Sequence, residues 1–385
     1  MFDVVMTPAQ VALRSAVRDF AEAEVRPIAD EHDRLGTAPM TACQAFFDRG
    51  LAARFLTDDR DPSTPYVADA CIAAEELAYA CAATASLIML PIFLNRLVLS
   101  YLPEEERGVY RDLVRSRPVV TAFAATEREA GSDLRMIAAR AELVADGYVL
   151  NGRKEYSSNV RQSDFVVVVA RTGAPDERST EALTWFLVPT DTPGLVIGDR
   201  WETLGLRAMD LSPIELNEVC VPTGHLLGEH GRGLAMMAAS LSQSRTGIAA
   251  LAVGIARRAR DEVLAFARQR TLYGDKLYKL QDYRFRIADM ETGITAARSL
   301  VWLASLKMDQ GLDATKEASI AKLFAGQMVM RVTEAASQML GSIGYTSQSV
   351  VGKLFRDARH IGIVEGTEPT HKEIIFASVL RKGGS

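Results

Sequence analysis

The chain has 385 residues, of which 48% are hydrophobic and 24% are charged. This composition is typical of a globular protein, and the length allows two or three domains. The 44 basic and 49 acidic residues give a net charge of −5, and no Lys/Arg run stands out. The charge balance therefore argues against a nucleic-acid partner bound by bulk charge.

The sequence carries no pattern for targeting, membrane insertion or metal binding. Its first residues lack the basic and apolar regions of a signal peptide. The longest apolar run, from Ala80 to Leu94, contains Pro91 and falls short of the roughly 18 residues that cross a bilayer. The four cysteines are scattered and the five histidines have no metal-ligand spacing. We therefore expect a cytoplasmic protein with buried, reduced thiols, no metal site and no membrane span.

The first third of the chain predicts helices. Thr7 and Pro8 form a start signal, with Thr7 as the cap and Pro8 at the first helical position. Apolar residues then recur at helical spacing until Pro27, which ends or bends the run. Residues 57–65 are polar and contain prolines, which indicates a loop. The apolar stretches 67–80 and 84–101 indicate buried helices.

The pattern changes at Pro118, where short runs rich in β-branched and aromatic residues begin. These runs cover residues 119–126, 140–150, 164–171, 183–189 and 214–221. Asn151-Gly152 follows one of them and predicts a hairpin turn. Because no helix-length segment separates the runs, they favour a sandwich or barrel over a parallel α/β sheet.

Helical periodicity returns at Gly233. Long helices are predicted over 234–270, 281–310 and 313–340, and a last helix runs from about Thr370 to Arg381. Such segments favour a four-helix bundle. The predicted domains are therefore a helical domain (1–118), a β domain (119–230) and a helical bundle (231–385).

Three stretches contain residues that are suited to catalysis or to binding a ligand. Glu365 lies on a turn after Ile363 and Val364, where an apolar cleft would raise its pKa and make it a base near neutral pH. Taken alone, such a residue is more often a solvated surface glutamate. The turn from Thr126 to Asp133 can approach an anion, and residues 151–159 can flank a flat ring. The absence of GxGxxG, GxxxxGK[ST] and GxSxG argues against a Rossmann site, a P-loop and a nucleophile elbow.

Taken together and in order, six motifs resemble those of the acyl-CoA dehydrogenase family over nearly the whole chain. They are Thr126-Glu127…Ala130-Gly131-Ser132-Asp133, Asn151-Gly152…Lys154…Tyr156…Ser158-Asn159, Leu204-Gly205-Leu206-Arg207 with Val221-Pro222, Arg270…Tyr273-Gly274…Gln281, Gln338…Gly341…Gly344-Tyr345, and Arg356-Asp357-Ala358…Glu365-Gly366-Thr367. The resemblance implies an α+β fold with an N-terminal helical domain, a middle β-barrel and a C-terminal four-helix bundle. It also implies a bound FAD and a homo-oligomer, usually a tetramer.

The resemblance further implies a role for each matched position. Glu365 corresponds to the base that removes the α proton of an acyl thioester, while the β hydrogen leaves as hydride to FAD. The implied FAD contacts are Thr126, Ser132, Tyr156, Ser158, Arg270, Tyr273, Gln281, Gln338, Gly341 and Thr367. Three of these, Arg270, Gln338 and Gly341, match residues that contact the FAD of a neighbouring subunit. The implied substrate side comprises Ser242, Arg245 and Gly366. Some relatives carry the base one residue before Arg245, where this chain has Ser244.

Several departures from the family pattern affect the substrate. The usual glycine-rich loop is replaced by residues 58–65, the acidic residue three places before Arg245 is Ser242, and the second glycine of the G-G-x-G turn is Ser342. The usual S-x-I-Q-R after Thr367 reads Glu-Pro-Thr-His-Lys, which places His371 where glutamine is usual. We expect a thioester carried by CoA or by an acyl carrier protein, with a role in secondary metabolism. The expected electron acceptor is an electron-transfer flavoprotein or another acceptor. The alternatives are an oxidase or monooxygenase of the same fold that reacts with O2, and a flavin-free scaffold.

Overall fold

The computed structural model describes residues 5–56, 66–173 and 182–382. Within these ranges the elements follow the predicted order of helices, strands and helices. The loop predicted over 57–65, including the departure at 58–65, lies outside the described residues. The predicted domain boundaries at 118 and 230 stay predictions.

Six α-helices are present in the N-terminal part within residues 5–56 and 66–118. They are α1 (Pro8–Phe20), α2 (Ala29–Leu35), α3 (Met40–Asp48), α4 (Val67–Ala80), α5 (Ala82–Tyr101) and α6 (Glu104–Ser116). The predicted start of α1 is present: the Thr7 hydroxyl accepts from the Gln10 N–H, and the Gln10 side chain accepts from the Thr7 N–H. The α-helix ends at Phe20, and Pro27 lies in a short 3-10 turn that follows a π turn and leads into α2.

Helix α5 is longer than the apolar run predicted at this place. Among the described helices it is the one that is long and apolar enough to cross a membrane, judged by length and composition alone. Of its most apolar window, 78% is buried within the protein. Core helices pass the same test, and α5 packs against α4, α6 and β1.

In the described residues of the middle part, which exclude 174–181, eight strands form one mixed sheet. They are β1 (Thr121–Ala124), β2 (Arg140–Val144), β3 (Gly147–Ser158), β4 (Phe165–Arg171), β5 (Leu183–Pro189), β6 (Leu195–Ile197), β7 (Leu211–Pro222) and β8 (Leu226–Leu227). The strand order is β6-β7-β3-β2-β4-β5-β8, and β1 pairs in parallel with β4.

The hairpin predicted at Asn151-Gly152 is wrong. The turn between β2 and β3 precedes Gly147, and Asn151 and Gly152 lie inside β3 at an irregularity of its pairing with β7. The Asn151 side chain accepts from the Glu218 N–H at 2.9 Å across that pair. Pairing between β3 and β7 has therefore overridden a local turn preference.

The central strands β4 and β5 are buried on both faces, and the sheet curls around its own core. Val166 and Val168 of β4 belong to a cluster inside the sheet, whereas Val167 belongs to the larger core formed with the helices. The rings of Tyr148 on β3 and Phe186 on β5 lie 4.9 Å apart. Two strands separate β3 from β5, so a flat sheet would hold them about 14 Å apart. The contact shows strong curvature, as in the predicted barrel.

The C-terminal part consists of long helices and a small hairpin. They are α7 (Gly233–Gln269), β9 (Thr271–Leu272), β10 (Asp275–Lys276), α8 (Gln281–Asp309), α9 (Thr315–Leu340), α10 (Val350–Ile361) and α11 (Glu368–Lys382). Short connections make α7, α8 and α9 successive antiparallel neighbours, and α10 packs on α7 and α9. The Asp309 carboxylate at the end of α8 accepts the first backbone N–H groups of α4, which joins the two helical parts.

The cysteine prediction is correct for three of the four residues. All four are free, and Cys43, Cys71 and Cys81 are buried. Cys220 is exposed because it lies on β7 with its side chain directed away from the core of the sheet.

Candidate active site

Glu365 lies on a tight turn between α10 and α11. The backbone of Glu365 is left-handed (φ 58°), as is that of Gly366 (φ 106°). A left-handed non-glycine residue costs roughly 1–2 kcal/mol, so the surrounding contacts must stabilise this turn.

Three buried donors hold the carbonyl groups of the turn. Arg245 Nε on α7 donates to the Glu365 carbonyl at 3.2 Å. Lys322 Nζ on α9 and His371 Nε2 on α11 contact the Gly366 carbonyl at 2.6 Å and 3.0 Å. All three side chains are buried. Three helices therefore fix two consecutive peptide groups and, through them, the position of Glu365.

The carboxylate of Glu365 is half-buried and has a polar partner. Burial raises its pKa, while a hydrogen bond from Ser244 and the charges of Arg245 and Lys322 oppose that rise. The Ser244 hydroxyl donates to Oε2 at 2.8 Å. The apolar surroundings expected from the sequence are thus incomplete, because Ile363 is 56% exposed and two cations lie behind the turn.

The two titratable neighbours of the turn are also perturbed. Burial lowers the pKa of Lys322 to about 8, although the charge of Glu365 raises it. Burial lowers the pKa of His371 to about 4, and the positive charges of Lys322 and Arg245 add to that effect. Near neutral pH the Gly366 carbonyl therefore contacts a neutral imidazole and an ammonium group whose pKa lies only slightly above the pH.

Two motifs that are far apart in the sequence contact each other beside this site. Asp357 on α10 accepts the Leu206 N–H at 2.6 Å, and Arg356 donates to the Leu204 carbonyl at 3.0 Å. A Cβ on Gly205 would lie 2.2 Å from the Arg356 carbonyl oxygen, so only glycine permits this approach. The contact brings the middle domain against the helix that leads to Glu365.

The same segment of α10 also contacts the N-terminal domain and carries an ion pair within the helix. Arg356 donates to the Asp33 carboxylate of α2 at 2.6 Å, and Lys353 is paired with Asp357 at 2.5 Å. The pair is buried, and the Asp357 charge holds the pKa of Lys353 above its usual value against the opposing effect of burial. One turn of α10 therefore contacts all three domains.

The predicted anion turn is anchored to β3 by a buried ion pair. Lys154 is fully buried, and its Nζ contacts the Ala125 carbonyl at 3.1 Å and the Glu127 carboxylate at 2.7 Å. The Glu155 N–H donates to the Thr126 carbonyl at 3.0 Å. Thr126 is thereby placed beside the end of β3.

The end of β3 presents an aromatic surface next to polar groups. Tyr156 is 53% exposed and Trp201 is 42% exposed, and their rings lie 5.9 Å apart. Ser158 is half-buried beside them. The Ser157 hydroxyl and both amide atoms of Asn159 are buried without a hydrogen-bond partner in the described part of the chain. The exposed rings of Tyr156 and Trp201, with Ser158 two residues further along β3, form a surface that fits a flat ring such as the flavin of the implied FAD.

Ser132 and its neighbour Gly131 lie on the adjoining turn. Ser132 is exposed, and a Cβ on Gly131 would meet no atom within 4 Å. The open space leaves room for a phosphate-bearing group beside the turn.

A second group of predicted cofactor residues lies at the far end of the bundle. It comprises Arg270, Tyr273, Gln281, Gln338 and Gly341, of which all but the glycine are exposed side chains. The Tyr283 hydroxyl donates to the Met339 carbonyl at 2.6 Å, which joins the start of α8 to the end of α9. Ser244 and Gln269 are 25 positions apart on α7, or about 38 Å along the helix. Within one chain this group is therefore remote from Glu365.

The remaining predicted residues lie near Glu365 with varied exposure. Ser242 is buried on α7, and the Thr367 hydroxyl contacts that of Thr370 at 3.2 Å. The Arg245 and Gly366 contacts described above belong to the turn, and their roles toward substrate stay predictions. Sequence reasoning missed Lys322 and His371, and it treated Ser244 only as an absent base. A lysine within the apolar pattern of α9 is a local signal that could have indicated Lys322.

Comparisons with known proteins agree with this geometry. Three family models match in order: the N-terminal domain of acyl-CoA dehydrogenases (residues 7–110), the middle domain (122–219) and the C-terminal domain (231–380). The chain is 33% identical to a probable acyl-CoA dehydrogenase of Bacillus subtilis, YngJ, over 98% of this chain and 99% of that protein. Butyryl-CoA dehydrogenase from Megasphaera elsdenii superposes with a TM-score of 0.91 at 29% identity, covering 97% of this chain and 99% of that chain. A chain from a study of the electron transferring flavoprotein of Acidaminococcus fermentans gives a TM-score of 0.91 at 27% identity, covering 98% and 99%. The chain therefore belongs to the acyl-CoA dehydrogenase family, and it is an FAD-dependent oxidoreductase that acts on CH–CH bonds.

Proposed function

We propose that the protein catalyses α,β-dehydrogenation of an acyl thioester, with Glu365 as the base that removes the α proton. The observation that carries this proposal is the half-buried carboxylate of Glu365, whose pKa is raised by burial, on a turn held by three buried donors. A fixed carboxylate with a raised pKa is suited to proton abstraction near neutral pH.

In the proposed reaction the α C–H bond breaks and its proton moves to the Glu365 carboxylate. The electron pair left on the α carbon forms the C=C bond as the β hydrogen departs with its bonding electrons. FAD, when bound, supplies the hydride acceptor for this step. Ser244 donates to Oε2 and thereby helps to fix the orientation of the carboxylate that takes the proton.

Removal of the α proton places negative charge on the thioester oxygen, which requires a fixed donor. The Glu365 N–H forms no backbone hydrogen bond within the described residues. The contacts to the carbonyls of Glu365 and Gly366 keep this peptide segment rigid. These facts support the Glu365 N–H as a donor to the thioester oxygen.

The residues of the middle domain would hold the cofactor. Thr126 and Ser158 would hydrogen-bond the edge of the flavin ring, and Tyr156 would pack beside it. Ser132 would contact the pyrophosphate, and Thr367 would lie close to the FAD. The exposed rings of Tyr156 and Trp201 and the open space at Gly131 support this assignment.

We further propose that a second copy of the chain completes the cofactor site. Arg270 and the residues grouped with it lie about 38 Å along α7 from the base, beyond the reach of a dinucleotide held at Glu365 of the same chain. Tyr273 has a left-handed backbone and is 93% exposed, an unusual state for a tyrosine without a partner. A homo-oligomer, as a dimer or tetramer, would bring this group to a neighbouring FAD.

The departures at Ser242 and from Glu368 to Lys372 support a substrate other than a routine fatty acyl-CoA. The acyl or aminoacyl group would be carried by CoA or by the phosphopantetheine of a carrier protein. Electrons would pass to an electron-transfer flavoprotein or another acceptor, in a cytoplasmic pathway of secondary metabolism.

The decisive test replaces the base. Glu365→Gln removes the acceptor for the α proton, so α-proton exchange and flavin reduction should fall on the order of 10² to 10⁴-fold, while FAD binding is retained. Glu373→Gln, which changes an exposed carboxylate on α11 beyond the segment from Glu368 to Lys372, is the matched control and should stay active. An active Glu365→Gln enzyme with normal FAD content would refute the assignment.

A second measurement addresses the carrier and the acceptor. Flavin bleaching is followed with an acyl-CoA and with the same acyl group on a carrier protein, and oxygen consumption is recorded. Bleaching by simple acyl-CoAs alone would exclude the carrier-protein substrate. Stoichiometric oxygen uptake would favour the oxidase or monooxygenase alternative.

A further inference from the structure

His371 is buried beneath the Glu365 turn, yet no step of the proposed reaction uses it. Its side chain has no exposed surface, and Nε2 lies 3.0 Å from the Gly366 carbonyl oxygen. Nδ1 is buried without a hydrogen-bond partner in the described part of the chain. The residue follows Thr367 in the segment where this chain departs from the family pattern.

The contacts of His371 determine its protonation state. A carbonyl oxygen can only accept, so Nε2 carries the hydrogen. The partnerless Nδ1 has nothing to which it could donate, and the cations Lys322 and Arg245 lie nearby on α9 and α7. The imidazole is therefore neutral and acts as a donor through Nε2.

The Gly366 carbonyl needs the donors that surround it. It lies on a residue with φ 106°, directly after the left-handed Glu365. A Cβ on Gly366 would lie 3.3 Å from His371 Nε2, so the imidazole is packed against this backbone. Lys322 donates to the same oxygen, but its long side chain leaves the direction of the peptide less restricted than a packed ring does.

We propose that His371 is a positioning residue for the base: its neutral imidazole, together with Lys322 and Arg245, holds the peptide groups that aim the Glu365 carboxylate at the substrate. This role rests on the proposed function of Glu365. It predicts that the hydrogen-bond donor at position 371 matters for catalysis, whereas the ability of that side chain to titrate does not.

Two substitutions separate these properties. His371→Leu keeps an apolar volume but removes the donor, and His371→Gln restores an amide donor that does not titrate. Steady-state rates are measured on holoenzyme, normalised to bound FAD, with α-proton exchange recorded in parallel. His371→Leu should lower kcat and exchange about tenfold with little change in KM, and His371→Gln should lie within a few-fold of the parent. The acid limb of the pH–rate profile should keep its position in both variants, because the imidazole that they replace is already neutral.

Comparison with Glu365→Gln makes the outcomes distinct. If that variant stays active, the proposed function fails together with this inference. If it is inactive while His371→Leu retains the parental kcat, only the positioning role is overturned. Equal losses in His371→Leu and His371→Gln would also overturn it, since the donor would then be irrelevant. Parental activity in His371→Gln combined with the tenfold loss in His371→Leu supports it.

Discussion

Removal of the Ser244 hydroxyl should weaken the base at acid pH without removing it. The Ser244 Oγ donates to Oε2 of Glu365 at 2.8 Å and favours the ionised carboxylate. Ser244→Ala leaves burial in place and removes this bond, so the pKa of Glu365 should rise further. A larger fraction of the enzyme would then carry a protonated, inactive base below neutral pH.

The size of the effect follows from the geometry of the contact. Hydrogen bonds to charged groups contribute about 1.5–3 kcal/mol, and the lower end applies to a half-buried acceptor that water can reach. About 1.4 kcal/mol corresponds to a tenfold change in the ratio of ionised to protonated carboxylate. On the acid limb, kcat/KM of Ser244→Ala should therefore be about tenfold below that of the parent. At pH values above this limb, kcat/KM of Ser244→Ala and of the parent should be equal.

The assay is the pH dependence of kcat/KM from about pH 5 to about pH 9, which reports the ionisation of the free enzyme. Ser240→Ala is the matched control, since this half-buried serine lies one turn earlier on α7 and donates to the Met236 carbonyl. Coincident acid limbs for Ser244→Ala and the parent would refute the reasoning. An equal displacement of the acid limb in Ser240→Ala would also refute it.

Two other substitutions test the charge behind the turn and the cap between the helical domains. Lys322→Met removes a positive charge that lowers the pKa of Glu365, so the acid limb of kcat/KM should move to higher pH; an unmoved limb would contradict the electrostatic role of Lys322. Asp309→Ala removes the acceptor of three backbone N–H groups at the start of α4, at 2.9, 2.8 and 3.0 Å. The free energy of unfolding, measured in urea, should fall by about 2 kcal/mol. The control is Asp282→Ala, whose exposed carboxylate pairs with Arg286 on the same helix, and its loss should be at most about 0.5 kcal/mol. Similar losses in the two variants would refute the capping role of Asp309.

The sequence predicts those features that depend on local pattern. Thr7 and Pro8 specify the start of α1 because capping involves residues three positions apart. The long helices α7, α8 and α9 follow from apolar periodicity, and their observed ends differ from the predicted ones by at most two residues. Asn151-Gly152 shows the limit of such reasoning, because the long pairing of β3 with β7 decides the conformation there.

The supports of the candidate site depend on contacts between distant positions. Ser244 and Glu365 are 121 residues apart, and Lys322 and Gly366 are 44 residues apart. No spacing rule connects such positions, because the helices that bring them together are placed by the packing of the whole bundle. The motif order locates Glu365, but the donors beneath it become visible only when α7, α9 and α11 are assembled.

The contacts of Arg356 and Asp357 have a consequence for the cooperativity of the chain. Asp33 of the N-terminal domain, the Leu204–Leu206 loop of the middle domain and Lys353 of the bundle all meet at this one turn of α10, eight residues before Glu365. Partial unfolding of any one domain would release α10 on one side and shift the start of the turn that carries the carboxylate. Local unfolding of one domain would therefore abolish activity while the other two domains are still folded.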